Sequence, residues 1–193
     1  MSTTLIVVSS QTGFTARYAD WLAEETGADV TELKQTSQKQ LAQYDLLVCG
    51  SAICGGEFRG LKQFRHLCAH FPKERILIFA TGIRPATERT VRMIRENNFP
   101  EKAADTVFYY EGGMNREKLD TSQKTLLLCY KAMMQRRRSL SPEDETVLKR
   151  MQVSGDYTNR EAIRPLAKRI CELQNDAKKR TAGAAFENVS RMN

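Results

Sequence analysis

The sequence predicts an α/β fold, a five-stranded parallel sheet doubly wound by helices, with a helical insertion after the fifth strand. Three observations predict it. Apolar runs of strand length occur at residues 5–8, 44–50, 75–82 and 105–111; amphipathic stretches of helical period separate them; and glycine- or hydroxyl-bearing turns stand where the runs end. At 193 residues the chain suffices for one core of about 150 residues plus additions. Residues 1–175 are expected to form a single domain, with the insertion at about 114–155 and a basic, frayed or disordered tail at 176–193.

The first strand, residues 5–8, leads through Ser9-Ser10-Gln11-Thr12-Gly13-Phe14-Thr15 into a helix ending near residue 25, with Ala16, Ala19, Leu22 and Ala23 on one face. Gly27 stops that helix, and Asp29-Val30-Thr31-Glu32-Leu33 alternates as a half-exposed edge strand would. Residues 44–50 are continuously apolar enough for a central strand covered on both faces. Leu61, Phe64, Cys68 and Phe71 then mark a helix over about 60–71. Residues 75–82 repeat the central-strand pattern, and Pro85 opens a helix to about residue 97 whose core face is Val91 and Ile94. Residues 105–111 are rich in β-formers and closed by Gly112-Gly113.

In the insertion, Leu126, Cys129, Tyr130, Met133 and Met134 share a helical face ahead of Arg136-Arg137-Arg138, and Ser141-Pro142 announces a second short helix with an acidic first turn. A last helix over 159–173 carries Ile163, Leu166, Ala167, Ile170 and Leu173 as its stripe, with Pro165 in its first turns.

The loop at residues 9–15 is the main functional signal. A helix N-terminus presents unpaired N–H groups and about half a positive charge, so a hydroxyl-rich loop there cradles phosphate. The loop has neither the Gly-Lys-Ser/Thr of a nucleoside-triphosphate site nor the Gly-x-Gly-x-x-Gly of a dinucleotide site. A Ser/Thr-rich helix cap without a ligand fits the same residues. The pattern Ser10-x-Thr12-Gly13-x-Thr15 resembles the monophosphate loop of the flavodoxins, which implies FMN, a flavodoxin-like strand order 2-1-3-4-5, and a ligand at the carboxyl ends of the strands. The isoalloxazine ring would then lie between Ser51-Ala52-Ile53-Cys54-Gly55-Gly56 and Thr81-Gly82-Ile83-Arg84, with Arg84 beside its N1/O2 edge or else solvated. Ordinary strand-to-helix turns would also carry these glycines.

Cys49-Gly50-Ser51-Ala52-Ile53, Gly56-Glu57-Phe58 and Gly155-Asp156-Tyr157-Thr158 resemble the flavodoxin-like protoporphyrinogen dehydrogenase group, over residues 5 to about 173. That resemblance implies an FMN-dependent oxidoreductase passing electrons to a quinone. No catalytic residue is singled out.

The net charge of +7 draws the chain toward acidic partners. The basic insertion could meet an anionic membrane, the carboxylates of a porphyrin-like or small acidic substrate, or a redox partner's acidic face; a buried helix with a solvated basic end is the plain alternative. Nucleic acid is not expected, because aromatic residues are not interleaved with the arginines. Five scattered cysteines argue against a disulfide framework or zinc site, and His66 and His70 are expected on a solvated helix face, with no metal. No stretch approaches the roughly 20 apolar residues of a membrane span, and residues 1–4 carry no signal-peptide pattern. The expected location is the cytoplasm, with peripheral contact at the inner membrane face. Three classes stay open: an FMN oxidoreductase, an electron-transfer flavodoxin, and a flavin-free binding module of the same fold.

Overall fold

A computed structural model describes residues 3–101 and 106–190, with side chains described through residue 177 and at Lys179. The elements are β1 (Thr4–Ser9), α1 (Phe14–Thr26), β2 (Asp29–Glu32), α2 (Gln38–Leu41), β3 (Leu46–Cys54), β4 (Glu57–Phe58), α3 (Leu61–Leu67), β5 (Ile76–Gly82), α4 (Glu88–Asn98), β6 (Val107–Glu111), β7 (Gly113–Met114), α5 (Thr121–Gln135), α6 (Pro142–Arg150), β8 (Gly155–Asp156) and α7 (Arg164–Ser190).

The parallel strands run in the order β2-β1-β3-β5-β6, the predicted 2-1-3-4-5 arrangement, and β4 adds an antiparallel hairpin to β3. Alternation along each strand divides the core. Val7, Leu47, Cys49, Ile78 and Tyr109 pack against Phe58, Phe64 and Ile94 on one face of the sheet. Ile6, Val8, Val48, Leu77, Phe79 and Tyr110 pack against Tyr18, Leu22, Ile163, Leu166 and Ile170 on the other. Burial at this density excludes water from both faces of the inner strands, which is why they read as unbroken apolar runs.

Several expected boundaries move. Helix α3 ends at Leu67, so His66 and His70 do not share it, and Phe71 follows in a turn closed by its N–H on the Cys68 carbonyl at 3.0 Å. Pro85 does not open α4: the helix starts at Glu88, where the Thr87 side chain accepts from the Thr90 N–H at 3.2 Å. The expected start of the fifth strand, at 105, lies outside the described residues. A 3₁₀ turn, Arg160–Ile163, precedes α7 and leaves Pro165 in the first turn of the α-helix proper. Most of the tail expected from 176 onward lies outside the residues whose side chains are described.

The insertion is tied to the sheet by a short ribbon in which Gly113 pairs with Asp156 and Met114 with Gly155. It has its own small core of Met114, Val147 and Met151, joined by Leu119, Leu127 and Tyr130. That core corrects the predicted face of α5: Met134 is buried, but Leu126 is 41% and Met133 48% exposed, and Cys129 is exposed as well. The helix packs on α6 and β7 through Leu127 and Tyr130, so the stripe is rotated from the one expected.

Candidate functional site

The carboxyl ends of β1, β3 and β5 meet at one edge of the sheet, held there by hydroxyls. The Ser51 hydroxyl donates to the Ser9 carbonyl at 3.2 Å, and the Thr15 and Thr81 hydroxyls, both buried, lie 2.7 Å apart. Gly13 precedes α1 with φ +92°, a left-handed conformation costly for any residue with a Cβ, and no side chain caps the helix there. The Ser10 hydroxyl accepts from the Ala16 N–H at 3.3 Å. Among the described residues, no protein group accepts from the backbone N–H of Gln11, Thr12, Gly13, Phe14 or Thr15. Donors therefore line the bend, and the Phe14 ring turns aside against Gly113.

A cleft of about 640 Å3 starts at this bend, a volume in the range of small-molecule sites. It is lined by Ser9, Ser10, Gln11, Thr12 and Phe14, then by Ala52, Ile53, Cys54, Gly55 and Gly56, then by Thr81, Gly82, Ile83 and Arg84. Three expected site residues do not line it: Thr15 and Ser51 lie buried beneath, and Gly13 shapes the bend without facing the space. The expected loop at 51–56 is mostly strand. Its glycines form a two-residue hairpin turn between β3 and β4, with φ +64° at Gly55 and +90° at Gly56, a geometry that demands glycine with or without a ligand. Cys54 borders the cleft, and burial pushes its thiol above the ordinary value against the opposing pull of Arg59, which suits a filler better than a nucleophile.

The far end of the cleft belongs to the insertion, which the sequence reading set near the rim of the site without saying which of its residues face the cleft. Gln123, Leu126, Tyr130, Met133 and Arg137 of α5 and the turn after it face the cleft, and Leu126 lies over the hairpin turn. The apolar spacing of 126, 130 and 133 was the available signal. Arg84 lines the cleft but is not the solvated loop residue of the plain alternative. Its guanidinium donates to Asp144 Oδ1 at 2.6 Å and to the Tyr130 hydroxyl at 3.0 Å. Burial works to raise the Asp144 pKa, but the Arg84 hydrogen bond and charge outweigh it and hold the carboxyl below its ordinary value. Arg137 adds a second cation at 3.5 Å. The loop bearing Arg84 is braced from below, where Tyr109 donates to the Arg84 carbonyl at 2.9 Å and Arg150 to the Ile83 carbonyl at 2.9 Å.

Among the described residues, no helix is long and apolar enough to cross a membrane, and no group of three or more His, Cys, Asp or Glu side chains could hold a metal ion.

The model of the flavodoxin domain family matches residues 5–141. No curated protein matches the chain. Among solved structures, oxidised flavodoxin 2 from Bacillus cereus is 19% identical with a TM-score of 0.44, covering 65% of this chain and 92% of its own. An archaeal flavodoxin is 16% identical with a TM-score of 0.42, covering 64% and 92%. The flavodiiron core of a Synechocystis protein is 13% identical with a TM-score of 0.46, covering 92% of this chain and 36% of its own.

Proposed function

The chain belongs to the flavodoxin domain family, and from that premise we propose that it binds FMN and acts as an oxidoreductase on a flat acidic or quinone-type substrate, in the manner of the protoporphyrinogen dehydrogenase group. The observation that carries the reading is the cleft itself, with unpaired backbone donors at residues 11–15 at one end and an apolar cover from α5 at the other.

The residues present fit the cofactor. Amides of the bend and the hydroxyls of Ser10 and Thr12 would hold the phosphate, and the β3–β4 hairpin and residues 81–84 would flank the ring. When bound, FMN supplies the redox chemistry, and the protein positions and shields it. Leu126, Tyr130 and Met133 line the end of the cleft where the ring would lie and would cover it there. Arg84, engaged with Asp144, holds the insertion in place. Arg89 and Arg137 line the same cleft and offer charge-assisted hydrogen bonds to substrate carboxylates.

A membrane contact accompanies this reading. Residues 121–138 carry five Lys or Arg residues and no Asp or Glu, beside exposed Leu128 and Met133. Such a surface suits an anionic bilayer, where each cation near the surface contributes about 1 kcal/mol. The test of the main reading is reconstitution with FMN, followed by turnover with protoporphyrinogen and a quinone. Stoichiometric flavin absorbance with quinone-dependent turnover is the expected result. Flavin uptake with one-electron exchange only would favour an electron carrier, and a colourless product would favour a flavin-free module.

A further inference from the structure

The arginines around the cleft differ in what they hold. Arg84 and Arg137 face Asp144, Arg150 faces Glu111, and Arg17 faces Asp156. Arg59 and Arg89 also line the cleft, and among the described residues no carboxylate lies within ion-pair distance of either guanidinium; of these two, Arg59 is the one bonded to the bend. It follows β4, and its backbone N–H is fixed on the Ala52 carbonyl at 3.0 Å. Its side chain reaches across the cleft and donates to Oε1 of Gln11 in the bend. The Gln123 amide of α5 donates to that same oxygen. Asp120 is the nearby acid, and its Oδ1 accepts from the Ser122 hydroxyl at 2.6 Å and the Gln123 N–H at 2.8 Å.

A guanidinium and an amide from two separate elements thus converge on one uncharged oxygen, beside amides that have no protein acceptor. A neutral carbonyl is a modest acceptor for a full cation. A phosphate oxygen forms bonds roughly twice as strong and accepts the planar fork in two places. We propose that Arg59 is the charged ligand of the cofactor's phosphate, that Gln11 holds its place until the phosphate arrives, and that the chain thereby selects the phosphorylated flavin over riboflavin by charge. This rests on the FMN reading above. It also answers a feature of the sequence: the bend contains no lysine, and the missing charge comes from a residue 44 positions after Thr15.

The experiment is a fluorescence titration of flavin-stripped full-length protein with FMN and, separately, with riboflavin, for the parent, Arg59→Gln and Arg59→Lys. Arg59→Gln is expected to weaken FMN binding about ten- to a hundredfold, as loss of a charge-assisted bond implies. Riboflavin affinity should stay within about twofold of the parent's, Arg59→Lys should recover part of the loss, and raised salt should weaken FMN binding in the parent more than in Arg59→Gln. An unchanged ratio of FMN to riboflavin affinity in Arg59→Gln overturns the assignment, and so does an equal loss of both ligands. A parent that binds no FMN instead sinks the cofactor reading on which the inference rests, an outcome the riboflavin arm and the variants cannot imitate.

Discussion

The two ends of the cleft are built by different means. At the bend, the donors come from backbone set by the seven consecutive residues 9–15, which join the end of β1 to the start of α1 and are anchored on the sheet by the buried Thr15–Thr81 contact. At the insertion, the geometry comes from side chains far apart in sequence, above all Arg84 and Asp144, 60 positions from each other. Backbone donors cannot be withdrawn without undoing the helix, whereas an ion pair under a helical cover can be removed by one substitution. The phosphate end should therefore be robust and general, and the insertion end breakable and particular to this chain.

The largest effect should come from breaking that pair. Asp144→Ala leaves the Arg84 guanidinium, 20% exposed, without its carboxylate. Removing one partner of a mostly buried pair costs about 3 kcal/mol. Urea unfolding should show that loss, while FMN affinity should fall less than tenfold because the bend is untouched. A collapse of FMN binding would mean that the two ends are one unit after all.

The next effect falls on the opposite end. Gly13→Val forces a β-branched residue into φ +92°, and Thr12→Ala removes a hydroxyl from the bend. Each should weaken FMN binding at least about tenfold, or about 1.4 kcal/mol, with the insertion still packed. Fluorescence titration measures the first quantity, and protease resistance of the α5–α6 segment the second.

The same contrast explains what the sequence disclosed. The bend was legible because strand, hydroxyls, glycine and helix are adjacent, and the strand order followed from unbroken apolar runs. The β3–β4 hairpin was not: β4 is two residues long, and Gly55-Gly56 looked like an approach to a ligand when the turn alone requires them. The stripe of α5 was visible, but periodicity does not name the neighbour. Its partner proved to be Met114, Val147 and Met151 rather than the sheet, which turned Leu126 and Met133 outward to the cleft. Arg84 and Asp144 carry no local mark of their pairing, and neither do Arg59 and Gln11.

A smaller effect follows from pH. The Asp144 carboxyl is held below its ordinary value, so its contribution is complete above the unfolded pKa of about 3.9 and is lost as pH falls through the lower folded value. Stability should therefore drop below about pH 4, and the drop should be shallower in Asp144→Asn, which has no proton to take up. Parallel urea midpoints across pH 5 to about 3 would show it; identical slopes would remove Asp144 from the account.

The smallest effect on the cleft should come from the insertion's outer surface. Of Arg136, Arg137 and Arg138, only Arg137 approaches a carboxylate among the described residues, 3.5 Å from Asp144 and with half its side chain exposed, and exposed pairs contribute little. Replacing all three with serine should leave unfolding within about 0.5 kcal/mol of the parent and FMN affinity nearly unchanged. Binding to anionic vesicles should fall sharply, because three of the five cations in residues 121–138 are gone. Sedimentation with phosphatidylserine-containing and neutral vesicles separates the cases. Loss of binding to the anionic vesicles alone, with flavin retained, makes the outer surface a membrane contact independent of the cleft beneath it. A parent that ignores both kinds of vesicle leaves the arginines as a solvated helix end and returns the insertion to a single role, covering the ring end of the site.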